Sequence, residues 1–449
     1  MKIVIVGAGA VGASICKQLA GEGHDITVID DAPLVVSELS NVCDIFGVIG
    51  NGAEISVLRR AGAENADVLI AVTSKDEINI ICCAAAKKLG AKHTIARVRN
   101  PEYSELMQLL RDDMSLSMTI NPELSTAREI FRMLKFPSAS KIDVFCRGKV
   151  ELAELVIDEN SALCGATLNE LRADIKINFL VCCVLREGQV YIPSGNFKLE
   201  PGDIIGVTVP DKEITNFFKT IGAYKNPVRN IIIVGGDRIT YYLESILKDS
   251  NIKSTVIEKN KELCHGLVEQ YDCTVVCDNG TKQEVLLEEG IESTDALLAL
   301  SGVDEENAIV SLYAKSKSVG KIITLIGTMS YIDFFKSAGL DSIISPKYLT
   351  AGQILHYVRS MNATKGSEIK SIHKILDGNI EALEFSVSEN IDGITDIPFK
   401  NLKPKAGVLV ACIVRDEKVI IPSGNDVIKQ GDTVIVISAD RLQSIKEIK

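Results

Sequence analysis

The sequence predicts an α/β protein with two doubly wound parallel-sheet domains, each followed by a small α+β domain. Short apolar runs rich in β-branched residues alternate with helix-compatible segments, which is the pattern of a parallel sheet covered on both faces. The same landmarks then return half a chain later: Gly7 and Asp30 correspond to Gly235 and Glu258, each 228 positions further on. A tandem duplication explains both observations.

The size of the chain agrees with a duplicated unit. At 449 residues with 46% hydrophobic content, the chain has enough apolar material for three or four domains. The repeat favours four. We predict parallel-sheet domains with connecting helices at 1–136 and 226–365, and small domains at 137–225 and 366–449.

The elements follow in order along the first repeat. Ile3 to Val6 is a fully apolar strand, and helix-compatible residues follow Gly12 as far as Leu19. Pro122 stands where a connecting helix begins, since apolar residues then recur at helical spacing to residue 136. Further predicted strands are 24–30, 46–49, 68–72, 94–98, 152–157, 179–185, 189–192 and 204–209, and further helices are 55–61 and 76–89. The second repeat has the same scheme, with a doubly wound region from 230 to about 346, a helix at 350–361 and strands from 380 onwards.

A glycine-rich turn between the first strand and helix predicts a dinucleotide site. Gly7 permits a tight turn, Gly9 leaves space for a pyrophosphate, and Gly12 allows the helix to pack closely on the strand. The helix N-terminus offers N–H groups and a positive dipole end to phosphate. Asp30, at the end of the next strand, can accept the ribose hydroxyls and would repel a 2′-phosphate, which favours NAD or another adenosine nucleotide over NADP. The intervening candidates are Ala8, Ala10 and Val11.

Other candidate ligands follow the remaining strands, whose carboxyl ends meet at the same edge of the sheet. Asn51 follows the third strand, and Arg97 ends the fifth, where a guanidinium can clamp phosphate. Thr73 and Ser74 follow the fourth strand. They either contact the ligand or cap the helix that begins at Asp76.

The second copy of the glycine loop differs from the first. Gly235 and Glu258 are kept as candidate ligands, but Asp237 stands where Gly9 would be and Thr240 where Gly12 would be. A carboxylate facing a pyrophosphate opposes binding. We therefore expect the second site to be weaker, altered in its ligand, or empty.

Composition excludes several function classes. The net charge of −11 without a basic run argues against a nucleic-acid partner. Twelve scattered cysteines form no disulfide framework or metal-ligand pattern, so we expect reduced thiols, a cytoplasmic location and no metal. No run of about 18 apolar residues is present, so we expect no direct membrane insertion.

Nothing in the sequence indicates a catalytic module. The five histidines fall in helix or strand settings, and no nucleophile motif, zinc-protease motif or phosphate-binding lysine loop is present. We therefore predict a sensor and not an enzyme, with no catalytic residues. Two alternatives stay open, namely a soluble NAD-dependent oxidoreductase and a regulator of a different cation transporter.

Residues spread over both repeats match the pattern of a known family. In the first repeat they are 4–12, Asp30, 50–52, Leu58, 61–63, 66–67, 71–73, Asp76, Glu77, Asn79 and 95–99. The sequence Ile-Pro-Ser-Gly at 192–195 and 421–424 adds a match in each small domain. Through these residues the chain resembles, from end to end, the regulatory proteins of Trk potassium uptake. That family joins two units, each with a Rossmann-like domain of the type that regulates potassium conductance and a small C-terminal domain.

This resemblance implies a function for the whole chain. It implies a cytoplasmic homo-oligomer, a dimer or a tetrameric ring, that lies on the inner face of the membrane through a potassium-conducting subunit of the TrkH type. The implied effectors are NAD(H), with ATP and ADP as further candidates. The implied contacts are residues 7–11, Asp30, Thr73 with Ser74, and Arg97.

Overall fold

A computed structural model of the chain describes residues 1–100, 103, 116–146, 149–159, 161–224, 227–328, 331–340, 342–361, 367–376, 378–440, 442 and 444–449. These form two compact units. One unit consists of Met1–Phe131 and Arg229–Val358, and the other of Arg132–Val228 and Arg359–Lys449. Within the described residues, no helix is long and apolar enough to cross a membrane.

The first unit contains two six-stranded sheets of the same topology. The strands of the first sheet lie in the order β3-β2-β1-β4-β5-β6, and those of the second in the order β14-β13-β12-β15-β16-β17. All neighbouring strands are parallel. The first domain contains β1 (Lys2–Val6), α1 (Ala10–Ala20), β2 (Asp25–Asp30), α2 (Pro33–Val42), β3 (Phe46–Ile49), α3 (Ile55–Arg60), β4 (Val68–Ala71), α4 (Asp76–Leu89), β5 (His93–Arg97), β6 (Met118–Ile120) and α5 (Pro122–Lys135).

The second parallel-sheet domain repeats this order of strands and helices. The small domains of both repeats form the second unit, which is described below. The elements of the second parallel-sheet domain are β12 (Asn230–Val234), α8 (Arg238–Leu247), β13 (Lys253–Ile257), α9 (Lys261–Gln270), β14 (Thr274–Val276), α10 (Gln283–Glu288), β15 (Ala296–Ala299), α11 (Asp304–Ser316), β16 (Lys321–Leu325), α12 (Ile332–Ser337), β17 (Ile343–Ile344) and α13 (Pro346–Met361).

In each parallel sheet, the carboxyl ends of the strands lie along the same edge. In the first sheet the central strand β1 is buried from Ile3 to Val6, and Val6 is in register with Ile29 of β2 and with Ala71 of β4. The direction of strand order reverses between β1 and β4. Because ligands of open α/β sheets bind outside the carboxyl ends at such a reversal, this edge is where the site is expected.

The second unit consists of two five-stranded antiparallel sheets, in the orders β10-β9-β11-β8-β7 and β18-β19-β22-β20-β21. They share one apolar core, to which Phe145 and Leu152 of the first repeat and Ile380 and Ile437 of the second contribute. The elements are β7 (Lys141–Phe145), β8 (Val150–Val156), α6 (Leu168–Asp174), β9 (Leu180–Arg186), β10 (Gln189–Tyr191), β11 (Ile204–Pro210), α7 (Ile214–Thr220), β18 (Ser367–Ile375), β19 (Ile380–Val387), β20 (Val408–Arg415), β21 (Lys418–Ile420) and β22 (Thr433–Ser438).

Two reciprocal hydrogen bonds join the small domains. The Leu376 N–H donates to Glu154 Oε1 at 3.0 Å, and the Cys146 N–H donates to Glu384 Oε2 at 3.1 Å. Glu154 and Glu384 occupy equivalent positions in the two repeats, 230 residues apart, as do Cys146 and Leu376. Both donors have left-handed φ angles, 52° at Cys146 and 48° at Leu376. The two small domains are therefore joined as a pseudo-symmetric pair.

The predicted fold class is confirmed. The sequence patterns did not predict α2, α6, α7, β6 or β7, nor β18, which precedes the strands expected from 380 onwards. The domain boundaries stay a prediction. Boundary positions 225, 226 and 366 lie outside the described residues.

Candidate nucleotide-binding site

The glycine loop after β1 is shaped by backbone contacts at two of its three glycines. Gly7 has φ +101°, and a Cβ there would lie 2.9 Å from the Thr73 backbone nitrogen. A Cβ on Gly12 would lie 1.9 Å from the Gly7 carbonyl oxygen. A Cβ on Gly9, in contrast, would meet no protein atom within 4 Å. The packing of this loop thus leaves no space for a side chain at Gly7 or Gly12, whereas the position of Gly9 faces open space.

The N-terminus of α1 carries no side-chain cap. Gly9 is the N-cap residue, and it and Ala10 are exposed, whereas Ala8 and Val11 are buried. The first N–H groups of a helix lack partners within the helix. An uncapped α1 therefore presents donors and a positive dipole end to the open space at Gly9, which suits an anion.

Asp30 connects β2 to this loop. Its Oδ2 accepts from the Ala8 N–H at 2.7 Å, and its Oδ1 accepts from the Ala32 N–H at 3.0 Å. The carboxylate is half-buried. Since each carboxylate oxygen has a further lone pair, Asp30 can hold the loop and still accept a hydrogen bond from a ligand hydroxyl. The sequence predicted the second role only.

Thr73 belongs to a hydrogen-bond network around Asn79, a residue that the sequence patterns did not indicate as part of the site. The Thr73 N–H and hydroxyl both lie within hydrogen-bond distance of Asn79 Oδ1, at 2.8 and 2.7 Å. The Asn79 side-chain nitrogen donates to the carbonyl oxygens of Thr73 at 3.1 Å and Arg97 at 2.9 Å. Asn79 is fully buried. It therefore fixes the ends of β4 and β5 relative to each other.

Asp76 organises the neighbouring loop. Its Oδ2 accepts from the N–H groups of Arg99 at 2.7 Å and Asn100 at 2.8 Å, while the Arg99 guanidinium donates to the Ser74 carbonyl oxygen. The Ser74 side chain is exposed. Asn51 is likewise exposed, and its Oδ1 accepts from the Ala53 N–H at 3.0 Å, which forms a local turn.

The guanidinium of Arg97 uses only some of its hydrogen-bond donors. Its Nη2 donates to the Thr73 carbonyl oxygen at 2.5 Å, while its buried Nε has no hydrogen-bond partner among the described residues. Burial lowers the pKa of Arg97, and the nearby charge of Arg99 lowers it further. An anion at this position would bond to the unpaired donor and offset the cost of burying the guanidinium, so anion binding here is favourable.

Glu123, in the first turn of α5, supplies a carboxylate near these cations. Burial raises the pKa of Glu123, against the opposing charges of Arg99, Arg97 and Arg238. Its Oε2 is buried without a hydrogen-bond partner in the described part of the chain. Sequence reasoning missed Glu123, and the only available signal was an acidic residue directly after Pro122.

The second parallel-sheet domain keeps one half of this arrangement. Gly235 has φ +110°, and Glu258 accepts from the N–H groups of Gly236 at 2.6 Å and Asn260 at 2.7 Å. These contacts match those of Asp30 with Ala8 and Ala32. The loop and the carboxylate are thus preserved.

The phosphate side of the second cleft is closed by its own side chains. Asp237 is the N-cap of α8, and its Oδ1 accepts from the Arg238 N–H at 2.7 Å. The Thr240 hydroxyl donates to the Gly235 carbonyl oxygen at 2.6 Å. Leu325 stands where the first domain has Arg97. An internal carboxylate thus takes the place that an uncapped helix would offer to an anion.

No group of three or more potential metal ligands occurs in the described ranges. The two clefts differ in the cap at the helix N-terminus, which is absent in α1 and is Asp237 in α8, and in the replacement of Arg97 by Leu325.

Comparison with family models divides the chain as the repeat does. Residues 3–120 and 231–346 match the TrkA-N domain, and residues 152–222 and 394–448 match the TrkA-C domain. The matches together span most of the chain.

Several curated relatives match along nearly their whole length. Trk system potassium uptake protein TrkA homolog 1 of Methanosarcina mazei is 32% identical, over 98% of this chain and 97% of the relative. The TrkA homolog of Archaeoglobus fulgidus is 32% identical over 100% of both chains. TrkA of Halomonas elongata is 32% identical over 98% of this chain and 96% of its own.

Solved structures with the same fold include the GsuK channel bound to NAD. It has a TM-score of 0.65 at 16% identity and covers 97% of this chain and 76% of its own. The GsuK RCK domain has a TM-score of 0.64 at 18% identity and covers 97% of this chain and 92% of its own. At these identities the likeness establishes the fold.

Proposed function

This chain belongs to the family of Trk system potassium uptake proteins of the TrkA type, and from that membership we propose that it is the nucleotide-binding regulatory subunit of a Trk-type potassium transporter. One observation carries the nucleotide part of the proposal. The first cleft combines the open space at Gly9, an uncapped helix and the carboxylate of Asp30.

Each residue of the first cleft has a proposed role. The backbone from Gly7 to Gly12, including Ala8, Ala10 and Val11, receives the phosphates at the N-terminus of α1. Asp30 accepts the ribose hydroxyls of the adenosine moiety. The flanking contacts are supplied by Asn51, Thr73, Ser74 and Arg97, of which Arg97 has the charge and the unused donor to bind a phosphate oxygen.

NAD(H) is the proposed effector, with ATP and ADP as candidates that share its adenosine and phosphate chemistry. The charge of Asp30 disfavours a 2′-phosphate and hence NADP. Among the relatives by fold, the GsuK channel has been solved bound to NAD and bound to ADP. In the second cleft, Gly235 and Glu258 retain the ribose side only, so we propose weak binding or none there.

We propose that the nucleotide acts by changing the arrangement of the two parallel-sheet domains. A ligand shifts a conformational equilibrium only by the difference between its affinities for the two states. Helices α5 and α13 continue the chain from each parallel-sheet domain towards the small domain that follows it. The partner is a TrkH-type membrane subunit, and attachment to it places the protein on the inner face of the cell membrane. No catalytic role is proposed.

Self-association is supported by an exposed apolar surface of the second parallel-sheet domain. Ile309 and Leu312 of α11 lie beside Tyr331 and Phe334 in one groove. Ile309 is 64% exposed and Phe334 is 65% exposed. Ile81, the equivalent of Ile309 in the first repeat, is also exposed. We propose that copies of the chain associate through these faces into a dimer or a tetrameric ring.

The nucleotide proposal is tested by thermal unfolding with NAD, NADH, ATP, ADP and NADP. A ligand at 100 times its Kd stabilises the folded state by about 2.7 kcal/mol. We expect the largest shift with one of the first four nucleotides. Gly9→Asp, which copies the closed second cleft, is expected to abolish that shift.

Two further variants provide the controls. Gly266→Asp places the same carboxylate on α9, where a Cβ meets nothing within 4 Å, and is expected to keep the shift. Asp237→Gly opens the second cleft and is not expected to reduce the nucleotide-induced thermal shift. A shift that survives Gly9→Asp but disappears in Asp237→Gly would contradict the assignment of the site.

A further inference from the structure

Two thiols lie beside the carboxylate of the second cleft. Cys264 is in the first turns of α9, and Cys277 follows β14 directly. Both are free cysteines. The first repeat has Val36 and Ile49 at the equivalent positions, so the pair belongs to the second repeat alone.

The backbone brings both cysteines to Glu258. Strand β14 is in register with β13 so that Val276 pairs with Ile257, and the Glu258 N–H donates to the Val276 carbonyl oxygen at 3.0 Å. Cys277 therefore lies alongside Glu258. The Cys264 thiol donates to the Glu258 carbonyl oxygen at 3.2 Å, so both cysteines lie beside the same residue.

The two thiols differ in exposure. Cys277 is exposed to solvent, whereas Cys264 is 7% exposed. Burial, and then the proximity of Cys277, raise the pKa of Cys264 to about 11. Since the thiolate is the nucleophile, Cys264 is a poor first target for a dissolved oxidant, and Cys277 is the accessible one.

We propose that Cys264 and Cys277 form a reversible disulfide when the protein meets a hydroperoxide, so that the second cleft carries an oxidant-responsive site. This inference does not depend on nucleotide binding in the first cleft. Thiol pairs of this kind, one exposed and one nearby, are typical of redox sensors in reducing compartments.

The chemistry balances with a hydroperoxide as the oxidant. The Cys277 thiolate attacks the terminal peroxide oxygen, the O–O bond breaks, and Cys277 becomes a sulfenic acid while the alcohol or water leaves. The Cys264 sulfur then attacks the Cys277 sulfur, the S–S bond forms, and hydroxide leaves as water with the proton of Cys264. Two thiols are oxidised by two electrons, and a dithiol reductant reverses the step by exchange.

The bond would tie the start of α9 to the end of β14. Glu258, between them, holds the N–H groups of Gly236 and Asn260. Oxidation would therefore restrict the ribose side of the second cleft, where the phosphate side is already closed by Asp237 and Thr240.

The test uses the full-length reduced protein treated with hydrogen peroxide, blocked with an alkylating agent and digested with trypsin. Cys264, Cys273 and Cys277 all fall in the tryptic peptide 262–282. We expect this peptide to lose two hydrogen atoms and to take up one alkyl group in place of three. A dithiol reductant added before the alkylation is expected to restore the uptake of three alkyl groups.

Single variants identify the partners. Cys264→Ser and Cys277→Ser are expected to prevent formation of the disulfide, so that the peptide no longer loses two hydrogen atoms. Cys273→Ser is the matched control and is expected to form the disulfide as the parent protein does. Thermal unfolding establishes that each variant is folded. Cys16 and Cys43, a second interacting pair with no fully exposed member, provide an internal comparison and are expected to react more slowly.

Three results would overturn the proposal. One is a bond that persists in Cys277→Ser, which would make Cys273 the partner. Another is oxidation of Cys277 directly to the sulfinic acid without a bond to Cys264. The third is a disulfide only between separate chains.

Discussion

At the residue scale, Gly9 and Gly12 separate the requirements of folding from those of binding. Both belong to one loop, yet a Cβ on Gly12 would lie 1.9 Å from a backbone oxygen, whereas a Cβ on Gly9 would lie in open space. The second repeat has Thr240 at the Gly12 position, with its hydroxyl donating to the Gly235 carbonyl oxygen, so that loop accommodates a Cβ for which the first loop leaves no space. A glycine motif alone does not distinguish the two demands.

We predict opposite phenotypes for Gly12→Ala and Gly9→Ala. Gly12→Ala should lower the free energy of unfolding by about 1–3 kcal/mol, since the helix must move away from the loop. Gly9→Ala should change it by less than about 1 kcal/mol, the difference between these residues as N-caps, and should weaken nucleotide binding. Urea unfolding and nucleotide titration measure the two effects. A stable Gly12→Ala protein would show that the loop relaxes.

Asp30 shows what sequence reasoning can and cannot assign to one residue. Its place at the end of the second strand was readable from spacing to the glycines. Its bond to the Ala8 N–H depends on how close β1 and β2 bring the loop, which no local pattern encodes. Asn79 and Glu123 were missed for the same reason, since Asn79 also bonds to Arg97, 18 residues away, and Glu123 lies near Arg238 of the other repeat.

At the element scale, α5 begins with a carboxyl group whose ionisation opposes folding. Burial raises the pKa of Glu123 above its ordinary value of 4.5, even with Arg97, Arg99 and Arg238 nearby. The folded state therefore favours the neutral acid. The resulting stabilisation is present below pH 4.5 and is lost as the pH rises through the raised pKa.

We predict that Glu123→Gln removes this pH dependence. The free energy of unfolding of the variant, minus that of the parent protein, should become more positive between pH 4.5 and pH 8. Urea unfolding at several pH values measures this difference. Glu38→Gln, which alters an exposed carboxylate on α2, should show no such trend. A difference that is constant with pH would mean that Glu123 is solvated.

Elements with a strong local pattern were predictable, and strands without an apolar run were not. The bounds of β3 and α4 match the prediction because apolar spacing and a following Gly90 define them. Strand β6 has only three residues, and β7 contains Lys141 and Asp143, so neither shows an apolar run. Their strand conformation comes from pairing with β5 and β8.

At the scale of the whole molecule, the second unit is held together by reciprocal contacts between repeats. Glu154 and Glu384 each accept a backbone N–H of the other repeat, and both side chains are buried. Removing a buried acceptor leaves a donor without a partner, which costs about 1–3 kcal/mol.

We predict that Glu154→Ala and Glu384→Ala each lower the free energy of unfolding by about that amount. Glu417→Ala is the matched control, since it removes an exposed ion pair with Lys149 that also joins the two repeats. Its effect should be about 0–1 kcal/mol. Denaturant unfolding measures the change in the free energy of unfolding for all three variants. Equal changes would contradict the prediction that the two buried acceptors stabilise the protein more than the exposed ion pair does.

The different N-caps of α1 and α8 have a consequence for stoichiometry. A homodimer of identical subunits must present the same residue in both of its clefts, so that a carboxylate acquired in one appears in the other. Covalent fusion removes this constraint, and Gly9 and Asp237 could diverge within one polypeptide. Saturation should accordingly require one effector per chain, and adjacent clefts in an assembly need not respond alike.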